Sequence, residues 1–588
     1  MSSFNVSAYS IRQPVPSIVL FIVLCFLGWM SYNNLPITRF PNIDVPLIQV
    51  RVVQAGAAPA ELESQIAKRV EDAVASITGV KRVISNLTDG QSSTVVEFRL
   101  EVNTDRALND VKDAIAKIRT DLPRGIEEPI IERLDIENQP IMTVAVAASS
   151  MTLEQLSWFV DDTVKRELQG LRGIGRISRN GGVLREIRVA LDPNRLMALG
   201  ITAGDVNRQL RATNVDLAGG RGDIGGQQQS IRTLAGAQSV DELAATKIVL
   251  AGGREVRLSD LGTVTDLYEE PKSFTRLNGE TPTVAFQVFR SKGASDVRVA
   301  ALARAKIDEL RAANPAIAFT EIDNSVNYTA GNHTSAMTML MEGALLTVIV
   351  VFLFLRDFRA TIISAVALPL SIIPTFWVMD MLGFSMNLVS LLAVILVTGI
   401  LVDDAIVEIE NIVRHMKMGK SPYKASMEAA DEIGLAVIAI SLTIVAVFAP
   451  VSFMGGIAGQ YFKQFGLVVA IAVLFSLLVA RLVTPMLAAY FLRPHAHREP
   501  KDGLMMRAYL RFLSGTIRFR YLTLLAGIGI FALSIWAVRF LPTGFIPFPD
   551  EARFVISMEL PPGSNLDDTR ESSADPTRWA PSRCAARR

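Results

Sequence analysis

The sequence predicts a multi-spanning α-helical membrane protein with a large α+β insert outside the lipid. Three observations predict it. Seven apolar runs are long enough to cross a bilayer, residues 33–335 contain none of them after the first, and the basic residues gather in alternate short connections. Composition agrees: of 588 residues 50% are hydrophobic, yet 20% are charged, too many for a chain lying wholly in lipid. A net charge of +1 gives no bulk attraction to nucleic acid, and none is expected as a partner. Two cysteines supply no disulfide framework. His495 and His497 share a basic loop and form a weak metal candidate, outweighed by a solvated loop.

The first apolar run, 16–32, lacks a small-residue cleavage site and carries Trp29 and Tyr32 as interfacial anchors, so it reads as an uncleaved helix. The others fall at 336–355, 360–382, 386–410, 433–455, 465–491 and 520–541. Pro369 and Pro374 fall in the third run, Pro450 in the fifth and Pro485 in the sixth, positions a membrane helix tolerates when neighbours satisfy the freed carbonyls. Arg356 and Arg359 follow the second run. Arg414, Lys417, Lys420 and Lys424 follow the fourth, and Arg493 to Arg520 follow the sixth. The alternate connections, DMLGFSMN and MGGIAGQYFKQ, hold only Lys463. Positive residues mark the cytoplasmic face, which places the N-terminus inside and the long insert outside.

Within the insert, 47–54 alternates as a strand, 59–77 is an amphipathic helix, 80–88 and 92–101 are strands joined at Asp89-Gly90, and 104–121 is a second helix. This β-α-β-β-α order predicts a split βαβ, ferredoxin-like unit. A similar order starts at Ile141, with a helix over 153–171, and its partner segments at 283–291, 295–313 and 316–323 return only after residue 270. The stretch 181–268 is therefore an inserted subdomain. Its GGRGDIGG run, 219–226, reads as a flexible glycine-rich loop, with Arg-Gly-Asp a chance tripeptide.

The stretch GILVDDAIVEIEN, 399–411, places two carboxylates inside a spanning run. Asp403 and Asp404 lie roughly 22 Å from the outer end at 1.5 Å per residue, within a hydrocarbon core of about 30 Å. Ionised carboxylates there are costly, and neighbouring ones resist simultaneous ionisation, so at least one is expected to bind and release protons as part of a coupled pair. A protonation change then biases helix packing. The alternative is a buried ion pair that only locks helices. Glu408 lies one turn below Asp404, and Glu410 and Asn411 continue toward the cytoplasmic interface as a polar lining; the alternative for Glu410 is snorkelling at the helix end. Arg481, at matching depth in the sixth run, is a candidate to hold the aspartate pair; the alternative is a side chain reaching for the cytoplasmic face.

VDDAIVEIEN at 402–411, LPITRFPNIDVP at 35–46, FLRDFRAT at 354–361 and LPTGFIP at 541–547 together resemble the resistance-nodulation-division (RND) efflux transporters, nearest the hydrophobe/amphiphile, acriflavine-resistance branch. The resemblance implies a homotrimer in the inner membrane that exchanges protons for small amphiphilic substrates, with Asp403 and Asp404 as the proton relay. It implies no cofactor beyond the proton motive force and no enzymatic activity. It also implies a periplasmic adaptor protein and an outer-membrane channel as partners. Related proteins that export lipids or hopanoid-like molecules, and an inactive membrane scaffold, are the rival functions. Two features depart from the family. Ile141 and Asn180 stand where its multidrug pumps place pocket phenylalanines, which implies a narrower or more aliphatic substrate. The family is also about twice as long, and SSADPTRWAPSRCAARR, 572–588, resembles an out-of-frame reading, so a frameshift or truncation is expected. The absent half would carry the family's basic partner for the aspartates.

The expected division is a first transmembrane helix (1–35), a first porter subdomain (36–133), a second porter subdomain (134–180 and 269–330) and an inserted docking subdomain (181–268). Helices two to six (331–492), a cytoplasmic connection (493–519), a seventh helix (520–541), the start of a second periplasmic insert (542–571) and an aberrant tail (572–588) follow.

Overall fold

The computed structural model describes residues 6–541 and 558–574, apart from 55, 124, 135–138, 216, 225–226, 234–235, 272, 279–280, 494–503 and 562. It divides into two compact units. One holds residues 1–139, 292–298 and 325–555; the other holds 140–291, 299–324 and 556–588.

The first unit contains seven helices long and apolar enough to cross a membrane: Pro14–Asn34, Ser325–Leu355, Phe358–Met381, Leu388–Lys417, Gly434–Phe453, Gly456–Phe491 and Arg520–Val538, here spans one to seven. Span two begins eleven residues before the apolar run, because the polar stretch 325–335 stays helical beyond any lipid-facing segment. Span four likewise continues to Lys417, and Arg414, His415 and Lys417 in its last turn suit the negative end of the helix dipole. Spans three, four and six are more than half buried, and the other four are mostly exposed. Leu368, Ile372, Phe376, Val394, Val397, Leu401, Val469 and Val473 form the apolar core between these three. Span one crosses span three closely: a Cβ on Gly28 would stand 2.1 Å from the Ile373 carbonyl oxygen, so only glycine permits the approach. Pro369 and Pro374 sit inside the continuous helix of span three, and Pro450 falls in a 3₁₀ turn, Ala449–Phe453, that closes span five.

The LPITRFP signature has a local structural role. Thr38 N–H donates to the Met386 carbonyl (3.1 Å), and Thr38 Oγ1 donates to Ser385 Oγ (2.9 Å). Asn387 caps span four through Val389 and Ser390 and donates to Gln464 Oε1 at 2.6 Å, so the turn after span one, the start of span four and span six share one buried polar network.

The same unit contains an antiparallel sheet of β1 (Leu47–Val53), β2 (Val80–Thr88), β3 (Gln91–Phe98) and β4 (Ile130–Arg133), in the order β2-β3-β1-β4. Strict alternation in β1 and β3 sends Ile48, Val50, Val52, Val96 and Phe98 into one core with Val70, Val74, Val111 and Ile115 of the two covering helices. This is the ferredoxin-like order; β4, absent from the sequence expectation, completes it against β1.

The second unit repeats the plan. β5 (Met142–Ala147) is followed by a helical stretch over 153–169 and β6 (Ile174–Asn180). The interruption contains β7 (Arg185–Leu191), β8 (Leu217–Ile224), β9 (Gln227–Thr233), β10 (Lys247–Val249), β11 (Glu255–Arg257) and β12 (Gly262–Tyr268). β13 (Thr275–Leu277), β14 (Thr281–Arg290) and β15 (Ala318–Asn324) complete it. β14 lies between β5 and β6, and β15 borders β5, so the insertion occupies the hairpin between the second and third strands of a ferredoxin-like sheet. β6 was not expected as a strand. β7 pairs with β12 along its whole length and closes the base of the insertion. Within the glycine-rich run expected as a loop at 219–226, Arg221, Gly222 and Asp223 lie in β8, paired with β9 as a hairpin, and 225–226 lie outside the described residues.

Two connections contain unexpected helices. Pro422–Glu432 lies between spans four and five. Leu504–Arg518 precedes span seven, with Arg507, Arg511 and Arg518 on a helix that also exposes Tyr509, Phe512 and Leu513. Leu566–Ala574 forms a helix across the start of the expected aberrant tail, whose remainder, 575–588, lies outside the described residues.

Candidate functional site

Span four carries the site. Asp404, Glu408, Asn411 and His415 recur at intervals of four, three and four, which brings them onto one helix face, and all four are buried. Asp403 and Glu410 are exposed. Neighbouring helix residues point about 100° apart, so the adjacent aspartates diverge and only Asp404 enters the helix cluster. The expected coupled pair is thus split between an inner and an outer face, and the expected polar lining includes Asn411 but not Glu410.

Asp404 Oδ2 faces two hydroxyls. Ser441 Oγ of span five donates at 3.2 Å, and Ser476 Oγ of span six lies at 3.5 Å. Each hydroxyl has a second acceptor on a helix carbonyl, Val437 at 3.0 Å for Ser441 and Leu401 at 2.9 Å for Ser476. One hydroxyl carries one proton, so each serine serves either the carboxylate or the backbone. That choice lets the surroundings of Asp404 accommodate both its charged and its neutral form.

Of the two expectations for Arg481, it is the hold on the aspartate pair that the geometry corrects. Arg481 reaches Glu408 rather than the aspartates, with Nη1 3.9 Å from Glu408 Oε2, and the same Nη1 donates to the Ala430 carbonyl at 2.7 Å. Equal depth along two spans does not fix which turn a long side chain reaches. Ala430 lies in the last turn of the helix Pro422–Glu432, where carbonyls lack helical donors, and a guanidinium completes them. Asn411 Nδ2 caps the neighbouring Ala429 carbonyl at 3.1 Å. Gly434 makes room: a Cβ there would stand 2.6 Å from Arg481 Nη2. Arg481 sits at the centre of a π-helical turn, Val479–Val483, ahead of Pro485, whose missing N–H leaves a carbonyl of the preceding turn unbonded. Gly434 and the π turn were missed by sequence reasoning; Pro485 was the available signal for the second.

At the end of span four, His415 Nε2 lies 2.7 Å from Glu432 Oε2 and Nδ1 lies 2.9 Å from Lys420 Nζ. With Lys420 donating to Nδ1, the ring proton is on Nε2 and points at Glu432. Arg414 adds a 2.6 Å ion pair to Glu432, and Lys420 also pairs with Glu428. The His415 hydrogen bond, then Arg414, pulls the Glu432 carboxyl down to about 2.

The residues expected to mark a substrate pocket are not brought together. Ile141 is buried, with its N–H on the Val288 carbonyl, whereas half-buried Asn180 pairs with Ala285. These positions lie about 10 Å apart along β14 at 3.3 Å per residue, on strands flanking opposite edges of it. A groove of about 820 Å³ lies elsewhere in the second unit, lined by Glu154, Trp158, Phe159, Leu184, Arg185 and Tyr268 among others. Trp158, Leu184 and Tyr268 are exposed, and Arg185 pairs with Asp266 at 2.6 Å. Among the described residues no group of His, Cys, Asp and Glu is arranged to hold a metal ion, and His495 and His497 lie outside them.

A sequence profile described as the AcrB/AcrD/AcrF family matches residues 6–578. Multidrug resistance protein MdtC of Pectobacterium atrosepticum is 32% identical over 559 residues, covering 93% of this chain and 54% of that protein. MdtC of Pantoea ananatis is 31% identical over 557 residues, with the same two coverages. MdtC of Pectobacterium carotovorum subsp. carotovorum is 32% identical over 559 residues, again covering 93% and 54%. The chain therefore spans about half the length of the curated relatives it matches.

Proposed function

The chain belongs to the AcrB/AcrD/AcrF family, and on that premise we propose that it forms part of an RND-type transporter that exports amphiphilic compounds by proton antiport. The observation that carries the mechanism is the buried carboxylate of Asp404, held by two hydroxyls that each have an alternative acceptor. Protonation removes the charge that Ser441 and Ser476 stabilise. Their hydroxyls then return to the carbonyls of Val437 and Leu401; Leu401 lies on span four, so span six stays tied to it, whereas Ser441 turns back into span five and that span loses its attachment to span four. Proton release restores it. A gradient that loads and unloads Asp404 thus shifts the packing of span five against span four. No enzymatic step and no cofactor enter this reading; the proton motive force supplies the work.

Under the same proposal, the protein lies in the inner membrane as a homotrimer with its two ferredoxin-like sheets in the periplasm. Residues 36–133, and 134–180 with 269–330, act as porter subdomains, and 181–268 docks to a neighbouring subunit. A periplasmic adaptor and an outer-membrane channel complete the route. Asp403, exposed beside Val407 and Glu410, faces the basic residue that the family's other half supplies. The aromatic groove at Trp158 and Tyr268 replaces Ile141 and Asn180 as the candidate contact for substrate.

The test is export of Nile red from a pump-deficient strain producing this protein from its complete locus. Asp404→Asn, which cannot carry a proton, is expected to abolish export at normal abundance. Undiminished export by that variant would remove the proton-driven reading.

A further inference from the structure

Glu408 is fully buried in a spanning helix, and neither of its carboxylate oxygens has a hydrogen-bond partner. A charge that only locks helices together needs close, saturated geometry to offset its desolvation. Glu408 lacks that geometry. Its facing cation, Arg481, stands at 3.9 Å, beyond hydrogen-bond range, and spends its short contact on the Ala430 carbonyl.

Its position supplies a reason. Glu408 is the second member of the inner column Asp404, Glu408, Asn411 and His415, about 6 Å along the axis from Asp404. The column ends in the His415–Glu432 contact, beside Arg414, Lys420 and Glu428. On the elements flanking Arg481, Ser426 Oγ and Thr484 Oγ1 are likewise buried without a partner. Polar groups left in this state are those that ordered water satisfies.

We propose that Glu408 is a third proton-carrying carboxylate, which takes the proton released by Asp404 and passes it toward His415, with Arg481 holding it while it is ionised. This rests on the proton-antiport reading above. The transfer balances as one proton and no electrons. The Asp404 carboxyl gives its proton to a bridging water, which delivers one to the Glu408 carboxylate. Asp404 becomes the carboxylate and Glu408 the neutral acid. Arg481 then keeps only the Ala430 carbonyl, and loss of the Glu408 proton to water at the His415 end of the column resets the pair. The charged or titratable groups facing Glu408 are Asp404 from its own helix and Arg481 from span six; His415, Lys420, Glu428 and Glu432 lie at the column's end.

The test is Nile red export driven by an imposed pH gradient, comparing wild type with Glu408→Gln, Glu408→Asp, Asp404→Asn and the double variant Glu408→Gln/Arg481→Met. The double variant removes both charges together, so it leaves no unpaired ion to disrupt folding. Glu408→Gln and the double variant are expected to export about a hundredfold or more slowly, the scale of losing one proton-transfer group. Their rates should also lose their dependence on cytoplasmic pH, and Glu408→Asp should retain both rate and dependence. Full export with normal pH dependence in the double variant would overturn the proposal and leave Glu408 as half of a structural pair. Undiminished export by Asp404→Asn is a separate outcome, because it defeats the antiport reading on which the proposal stands.

Discussion

At the scale of single residues, the site works through shared hydrogen bonds. Ser441 and Ser476 both turn between Asp404 and a helix carbonyl. Replacing both by alanine keeps the helical backbone bonds but strips the carboxylate of its donors and removes the hydroxyl bonds to Val437 and Leu401. The expected result is slower export with normal membrane abundance, and a shifted pH optimum in transport assays; an unchanged optimum would exclude the hydroxyls from proton binding. Gly434 permits a different test. Valine there would drive side-chain atoms into the Arg481 guanidinium, and overpacking of that kind costs about 1–3 kcal/mol. Gly434→Val is expected to lower thermal stability in detergent, whereas Gly434→Val/Arg481→Ala recovers much of it. The motif VDDAIVEIEN showed that acids enter span four, because composition alone reveals a carboxylate in an apolar run. The divergence of Asp403 from Asp404 was also implicit in the helical period. The partner of Arg481 was not, because side-chain reach across two helices depends on their relative phase and on space such as Gly434 leaves.

At the scale of elements, the seven apolar runs were readable because spanning helices need long hydrophobic stretches and little else. The helix Pro422–Glu432 was not, since it is short and mixed, and the positive charges around it read as a loop. Ala425 and Ala429 dock it in an apolar cluster with Ile409 and Ile412, and the contacts of Glu432 to His415 and Arg414 add a part that is sensitive to pH. Glu432 is held down at about 2, so its favourable contacts are complete above its ordinary value of 4.5 and fade as pH falls toward 2. Hydrogen-exchange protection along 422–432, corrected for the intrinsic pH dependence of amide exchange, should hold at pH 5 and fall progressively below pH 4.5, and Glu432→Gln should show the lower protection already at pH 5. In the second unit the periodicity of β5 and its helix was legible, whereas β6 was missed because Arg and Ser break its apolar alternation. The groove beside it depends on residues far apart in sequence, Trp158 and Tyr268, which only the folded chain brings together. Trp158→Ala should weaken binding of Nile red, measured by fluorescence titration, by an amount typical of one lost aromatic contact, roughly 0.5–1.5 kcal/mol.

At the scale of the whole molecule, one design places a titratable column in the most buried of the spanning helices. Span four packs with spans three and six, and its N-terminal cap is tied to the turn after span one through Thr38, Ser385, Asn387 and Gln464. The proton event proposed at Asp404 acts on a helix bound at both ends, by Asn387 at its N-terminus and by the His415–Glu432 contact at its C-terminus. Spans one, two, five and seven leave most of their surface exposed, the condition of helices that face lipid or further protein. The most direct measurement is infrared difference spectroscopy on the complete protein in native membranes, stepped between acidic and alkaline pH, with Asp404→Asn as control. A carboxylic-acid band that appears on acidification and is missing in the variant is the predicted result. A wild-type spectrum in which no carboxylic-acid band changes, or in which the same band persists in Asp404→Asn, would contradict it.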